Sequence, residues 1–196
     1  MLRGTERFYD EWRVLVGSVI SHGPVLDLGT PFPFRKEMSV FREEAGEPYF
    51  SLDVTSSPSL DTVGAGEALP FCDASIGGVL CSHVLEHVVD PGQVVREIRR
   101  VLVPGGRAYV TLLVVHPYHG APGWYRDNYR FTPDAVDVLF EDWTEVDVVV
   151  GGGPVQVALA YLPNRVTELG GQWLANRLDP HWRGSLTPVL YVSAEK

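Results

Sequence analysis

Apolar positions along this chain follow two periods. Val25–Gly29, Tyr49–Val54, Gly78–Cys81, Arg107–Val115, Thr144–Val150 and Thr187–Ala194 are continuous or alternating apolar runs, the pattern of strands. Helical spacing recurs between them. Phe8, Trp12, Leu15, Val16, Val19 and Ile20 form one stripe over Thr5–Ile20, which Gly23-Pro24 ends. Met38 and Phe41 are the inward face of a short charged helix over Phe34–Ala45. Asp90-Pro91 opens a helix with the stripe Val94, Val95, Ile98, Val101 and Leu102, stopping at Pro104-Gly105-Gly106. Thr132-Pro133-Asp134 caps another, running through Val136, Val138, Leu139 and Phe140. Val155–Trp182 reads as helical pieces broken at Pro163 and Gly170-Gly171, inside an insert spanning 155–186. Asp61–Gly64 has room for only a short third strand.

Strand, crossover helix and strand in sequence make parallel βαβ units, centred on the stretch Asp61–Gly106. The fold expected is α/β: a Rossmann-like, doubly wound, mostly parallel sheet with helices on both faces, in one domain over residues 1–196. The two late strands, joined by the insert, suit an antiparallel edge pair. For the N-terminal helix, packing on the sheet is favoured over capping a substrate site.

Composition narrows the function classes. A net charge of −9 and a pI near 5.1 oppose phosphate-dominated binding of DNA or RNA. Two cysteines, Cys72 and Cys81, make no disulfide framework. Charges at Glu6, Asp10 and Glu11 interrupt any signal-peptide core, and no apolar run is long enough to span a membrane. A soluble cytoplasmic protein is expected.

The strand ends carry the chemistry. After the first strand there is no GxGxxG; the turn is Gly29-Thr30-Pro31-Phe32-Pro33-Phe34, whose two prolines remove backbone donors a pyrophosphate needs. No P-loop is present either, so the ligand expected is a nucleoside compound without phosphates. Asp53 ends the second strand 24 positions after Gly29, near the ~20 that separate a glycine turn from a ribose-binding acid. Glu67, with the backbone of Ala68 and Leu69, stands where an adenine edge could lie, and Asp27 is either a buried acid orienting the turn or one reaching an amino group through water. His83-Val84-Leu85-Glu86-His87 matches the H-x-x-E-H pattern of one zinc peptidase class, with His116 and His119 as further nitrogen donors. No long helix surrounds the match, so no metal is expected. His116–Phe131 gathers aromatics, histidines and arginines after the fifth strand, where open α/β sheets bind ligands.

The motifs VLDLG (25–29), Asp53, GEALPF (66–71), VLCSHVLEHVVDP (79–91) and RVLVPGGRAYVTL (100–112) together resemble class I S-adenosylmethionine-dependent methyltransferases, over roughly residues 24–150. HPYHGAPGWYRDNYRFTP is similar to a subgroup associated with cell-envelope glycan or small-molecule modification. The resemblance implies a seven-stranded sheet with an antiparallel last strand, and S-adenosylmethionine as cofactor. It implies a cofactor site of Asp27, Gly29, Thr30, Asp53, Val54, Gly66, Glu67, Ala68, Leu69, Ser82 and His83. The expected activity is methyl transfer to a hydroxyl, less readily an amine, of a small molecule or sugar. His87, His83, His116 and His119 are the candidate bases, and Tyr118, Trp124, Tyr125, Arg126 and Arg130 the acceptor-pocket residues. Thr30-Pro31 and Ala65 depart from the family pattern and motivate a competing expectation, a non-catalytic binding or scaffold protein. Aromatics in the insert equally suit a homodimer interface.

Overall fold

A computed structural model describes residues 14–29, 42–45, 48–56, 60–162, 171–179 and 188–196. Thr30, the N-terminal half of the expected Thr5–Ile20 helix, most of Phe34–Ala45 and part of the 155–186 insert lie outside the described residues. Seven strands form one sheet: β1 (Val25–Leu28), β2 (Tyr49–Asp53), β3 (Thr62–Val63), β4 (Ile76–Cys81), β5 (Leu102–Leu113), β6 (Glu145–Gly151) and β7 (Val189–Glu195). Their spatial order is β3-β2-β1-β4-β5-β7-β6. The first five run parallel, and β7 enters antiparallel between β5 and β6. This is the expected doubly wound architecture, with the antiparallel pair at one edge.

Among the described residues, six helical segments accompany the sheet: α1 (14–20), α2 (42–45), α3 (Pro91–Val101), α4 (Asp134–Leu139), α5 (Pro154–Ala160) and α6 (Gln172–Leu178). Alternation along the strands builds a core on each face. Leu26, Val79, Cys81, Ala108, Val110 and Leu112 meet α3 and α4 on one side; Val25, Tyr49, Leu80 and Tyr109 meet Val16, Val19 and Ile20 of α1 on the other. The described part of the N-terminal helix therefore packs on the sheet. Its last turn crosses β4 so closely that a Cβ at Gly77 would stand 1.8 Å from the His22 carbonyl oxygen, and one at Gly78 2.3 Å from that of Val19.

Local chemistry explains the element ends and two departures from expectation. Asp90 caps α3 by accepting from the Gln93 N–H at 2.8 Å, with Pro91 in the first turn. Strand pairing resumes at Leu102, so Pro104-Gly105-Gly106 lies within β5 beside a register shift opposite Ile76–Gly78; it does not separate helix from strand. At α4 the expected Thr132 cap is not formed: Pro133 occupies the cap position and makes no side-chain bond. Cys72 and Cys81 are both free, the second buried.

Helix α3 also clamps the loop after β3. Glu97 accepts the Leu69 N–H at 2.8 Å, and Arg100 donates to the carbonyls of Leu69 and Phe71 and to Asp73 and Glu97. The Arg100 bond holds the Glu97 carboxyl below its ordinary value; burial works against this, and the Leu69 N–H and the Arg100 charge assist it.

Two measurements check these packing arguments. Gly77→Ala should cost at least the ~1–3 kcal/mol typical of overpacking, because the obstacle is backbone. Gly17→Ala, with open space around its Cβ in the same helix–sheet layer, should be neutral or gain about 0.5–1 kcal/mol. Urea denaturation of both variants tests the contrast. A carboxyl depressed in the folded state contributes stability above its ordinary value of 4.5, lost as pH falls through the lower folded value. Glu97→Gln should therefore speed amide exchange of residues 66–73 at pH 7 and match the wild type only in strong acid. Equal protection at pH 7 would show the clamp idle.

Candidate active site

A cleft of about 1210 Å³ opens at the carboxyl ends of β1, β2, β4 and β5, across the point where strand order reverses. One end is lined by Gly29, Asp53, Val54, Thr55, Gly64, Gly66 and Glu67. The other is lined by His83, His87, His116, His119, Tyr118, Trp124, Tyr125 and Arg126. The two sets come from different crossovers, and only the parallel sheet brings them to one edge.

At the first end, Asp53 closes β2 and its Oδ1 accepts the Thr55 N–H at 2.7 Å, which fixes the carboxylate at the rim. Gly29 has φ +76, and a Cβ there would come 2.2 Å from Val84 Cγ2. The glycine thus lets the β4 loop close over the end of β1, a second constraint besides ligand approach. Glu67 lines the cleft while its Oε1 accepts the Val89 N–H at 3.1 Å.

Asp27 takes the buried place that was one of its two expected ones, while several other expected residues stand outside the cleft lining. Asp27 is buried within β1, accepting the Tyr49 hydroxyl at 3.0 Å. Ala68 and Leu69 do not line the cleft: their N–H groups go to the Ala65 carbonyl and to Glu97, and the Leu69 side chain belongs to the core. Their backbone is spent on holding the loop, so an adenine edge would have to be met by Gly66 and Glu67. Ser82 is also outside the lining set. Arg130 is an internal strut: it binds both Asp127 oxygens and the carbonyls of His116, Pro117 and Tyr129.

At the second end, His83-Val84-Leu85-Glu86-His87 is a turn, not a helix, and His83 has φ 58. The two histidines are therefore not presented from successive turns of one helix as a zinc peptidase needs. The His83 N–H donates to Thr111 Oγ1 at 2.6 Å, and the His87 N–H to the Val84 carbonyl at 2.8 Å. The 116–131 loop docks on this turn: Asn128 and Tyr129 donate backbone N–H groups to the Glu86 carbonyl, Asn128 Nδ2 binds the carbonyls of His87 and Val88, and the Tyr129 hydroxyl binds that of Val89.

Between the histidines lies Glu86, fully buried. Its Oε1 is 3.4 Å from His83 Nδ1, 3.9 Å from His87 Nε2 and 3.9 Å from His119 Nε2. Burial alone would raise its carboxyl. The imidazole of His83, the backbone N–H and the His83 and His87 charges outweigh burial and lower it. Asp127 is held far below the carboxylate range by Arg130, against burial and with help from the His119 N–H. Val84 and Asp127 stand inside tracts the sequence had flagged, 83–87 and 116–131, but without roles of their own; those roles, against Gly29 for Val84 and with Arg130 for Asp127, appear only in the fold.

The methyltransferase-domain family matches residues 38–110. An uncharacterized methyltransferase of Mycolicibacterium gilvum is 32% identical over 140 residues, covering 63% of this chain and 55% of its own length. The chain thus spans about half of that relative. Among solved structures, a SAM-dependent methyltransferase from Archaeoglobus fulgidus superposes with a TM-score of 0.63 at 16% identity, covering 97% of this chain and 94% of that one. The 1,6-didemethyltoxoflavin-N1-methyltransferase of Burkholderia thailandensis, solved with its substrate and S-adenosylhomocysteine, gives 0.60 at 16% identity over 99% and 82%. Matched sequence and strand order agree: residues 38–110 match the methyltransferase-domain family, and the sheet has the fold of S-adenosylmethionine-dependent methyltransferases, with a cleft at its carboxyl edge.

Proposed function

We propose that this chain binds S-adenosylmethionine and transfers its methyl group to a hydroxyl, less readily an amine, of a small molecule or sugar. The observation that carries the reading is the division of the cleft: a ribose-suited carboxylate, Asp53, at one end and four imidazoles at the other. In this reading the ribose diol donates to Asp53, and the adenine lies along Gly66 and Glu67. The methionine part crosses Gly29 toward His83. The solved Burkholderia relative carries S-adenosylhomocysteine, which supports an adenosyl ligand in such a cleft.

The sulfonium donor is already activated, so the protein chiefly has to align acceptor, methyl and sulfur. Aromatic and acidic walls suit its positive charge, and Tyr118, Trp124 and Tyr125 supply exposed rings at the acceptor end. His87 Nδ1 donates to the Arg126 carbonyl and His116 Nδ1 to that of Pro117, which leaves each Nε2 as the acceptor nitrogen. A hydroxyl losing its proton on attack has an imidazole within the same cleft to receive it. Arg126 faces the cleft and orients the acceptor, while Arg130 holds the wall behind it.

Calorimetry with S-adenosylhomocysteine tests the cofactor assignment. Asp53→Ala removes a charged hydrogen-bond acceptor, worth ~1.5–3 kcal/mol, and should weaken binding roughly ten- to a hundredfold with the melting temperature little changed. Unaltered affinity would sink the ribose assignment, and no heat from the wild type at millimolar ligand would leave only a scaffold. Asp127→Asn should loosen the acceptor wall. Amide protection across 116–131 should fall at least severalfold while that of β1 and β4 is kept; protection unchanged in the loop would show the wall is held without Asp127.

A further inference from the structure

We propose that Glu86, His87 and His119 form a binding site for one divalent transition-metal ion, zinc by ligand chemistry, at the acceptor end of the cleft. The inference rests on the methyl-transfer reading only for what the metal would do, not for whether it binds. Three observations carry it.

First, Glu86 is fully buried, and no donor meets either carboxylate oxygen in good hydrogen-bond geometry; His83 Nδ1 stands off at 3.4 Å from Oε1. A buried carboxylate so weakly met by donors is costly, and such a group calls for a cation. Second, Glu86, His87 and His119 each offer one ligand atom, all within 4.8 Å of one another. Zinc held by nitrogen and oxygen at ~2.0–2.2 Å sets neighbouring ligand atoms roughly 3.3 Å apart. The 3.9 Å from Glu86 Oε1 to each Nε2 closes to that by small side-chain rotations. Third, each imidazole has a carbonyl or carboxylate behind it. His87 Nδ1 donates to the Arg126 carbonyl at 2.5 Å; His119 Nδ1 lies 3.1 Å from Asp127 Oδ2, close enough to pair though not aligned as a hydrogen bond; and each Nε2 lies 3.9 Å from Glu86 Oε1. A carbonyl or carboxylate behind a histidine is the arrangement that fixes metal-binding imidazoles.

Two imidazoles and one carboxylate suit zinc and its first-row neighbours, and disfavour magnesium or calcium, which take oxygen. Three protein ligands leave a coordination position open, and His87 and His119 both line the cleft. That position takes the acceptor hydroxyl, which makes the preferred acceptor an oxygen. The hydroxyl proton passes to His116 Nε2, and an oxygen lone pair forms the C–O bond. The C–S bond breaks as it forms, its electron pair leaving on sulfur as a neutral thioether.

The test is dialysis of chelator-stripped full chain against zinc chloride, followed by metal analysis. Wild type should retain about one zinc per chain, and His22→Ala, remote from the site, should do the same. His87→Ala and His119→Ala should each lower affinity by more than roughly a hundredfold, and Asp127→Asn by roughly ten- to a hundredfold. His119 is on a loop, so its variant keeps the fold, which circular dichroism verifies. No zinc retained by the wild type, or full retention by both histidine variants, overturns the site. S-adenosylhomocysteine titrations on the same samples separate the two readings: adenosyl binding without zinc removes only the metal, and zinc without adenosyl binding removes only the methyl-transfer reading.

Discussion

The docking of the 116–131 loop on the turn after β4 is the contact on which the cleft depends. Asn128 and Tyr129 take up the carbonyls of Glu86, His87, Val88 and Val89, a run of backbone with no ladder or helix of its own to satisfy it. That exchange brings the histidines of the β4 turn against those of the β5 loop. The ring centroids of His87 and His119 are 4.9 Å apart, and those of His116 and His119 4.8 Å. Without the docking, Glu86 would have no imidazoles from the second loop around it. Asp127 and Arg130 stiffen the same loop from within, the pair being charge-assisted and two-pronged.

The opposite end of the cleft is built by other means. Gly29 yields its side-chain space to Val84, so the β4 turn leans over the end of β1. Helix α3 grips the 69–73 loop through Glu97 and Arg100, which fixes where Gly66 and Glu67 stand. The carboxylate-lined and histidine-lined ends of the cleft thus meet at a single segment, His83–Val89. Its left-handed residue His83 is the point where the chain leaves the sheet.

Some of this was legible in the chain itself. The buried runs of β1, β4 and β5, the Asp90-Pro91 helix start and the carboxylate ending β2 follow from local sequence, because apolar runs, cap chemistry and spacing are local properties. H-x-x-E-H and the aromatic-rich loop flagged the histidine-lined end of the cleft for the same reason. The register of β7 between β5 and β6 was not legible, since pairing depends on which partner surfaces remain free once the other strands are placed. Nor was it legible that the Ala68 and Leu69 N–H groups are taken by Ala65 and Glu97, or that Arg130 serves Asp127. A residue's type tells what it can bond to; only the fold decides which partner arrives first. Glu86 shows the division: sequence placed it between two histidines, but its burial and the approach of His119 from a separate loop are products of the tertiary structure, because burial is a property of neighbours distant along the chain.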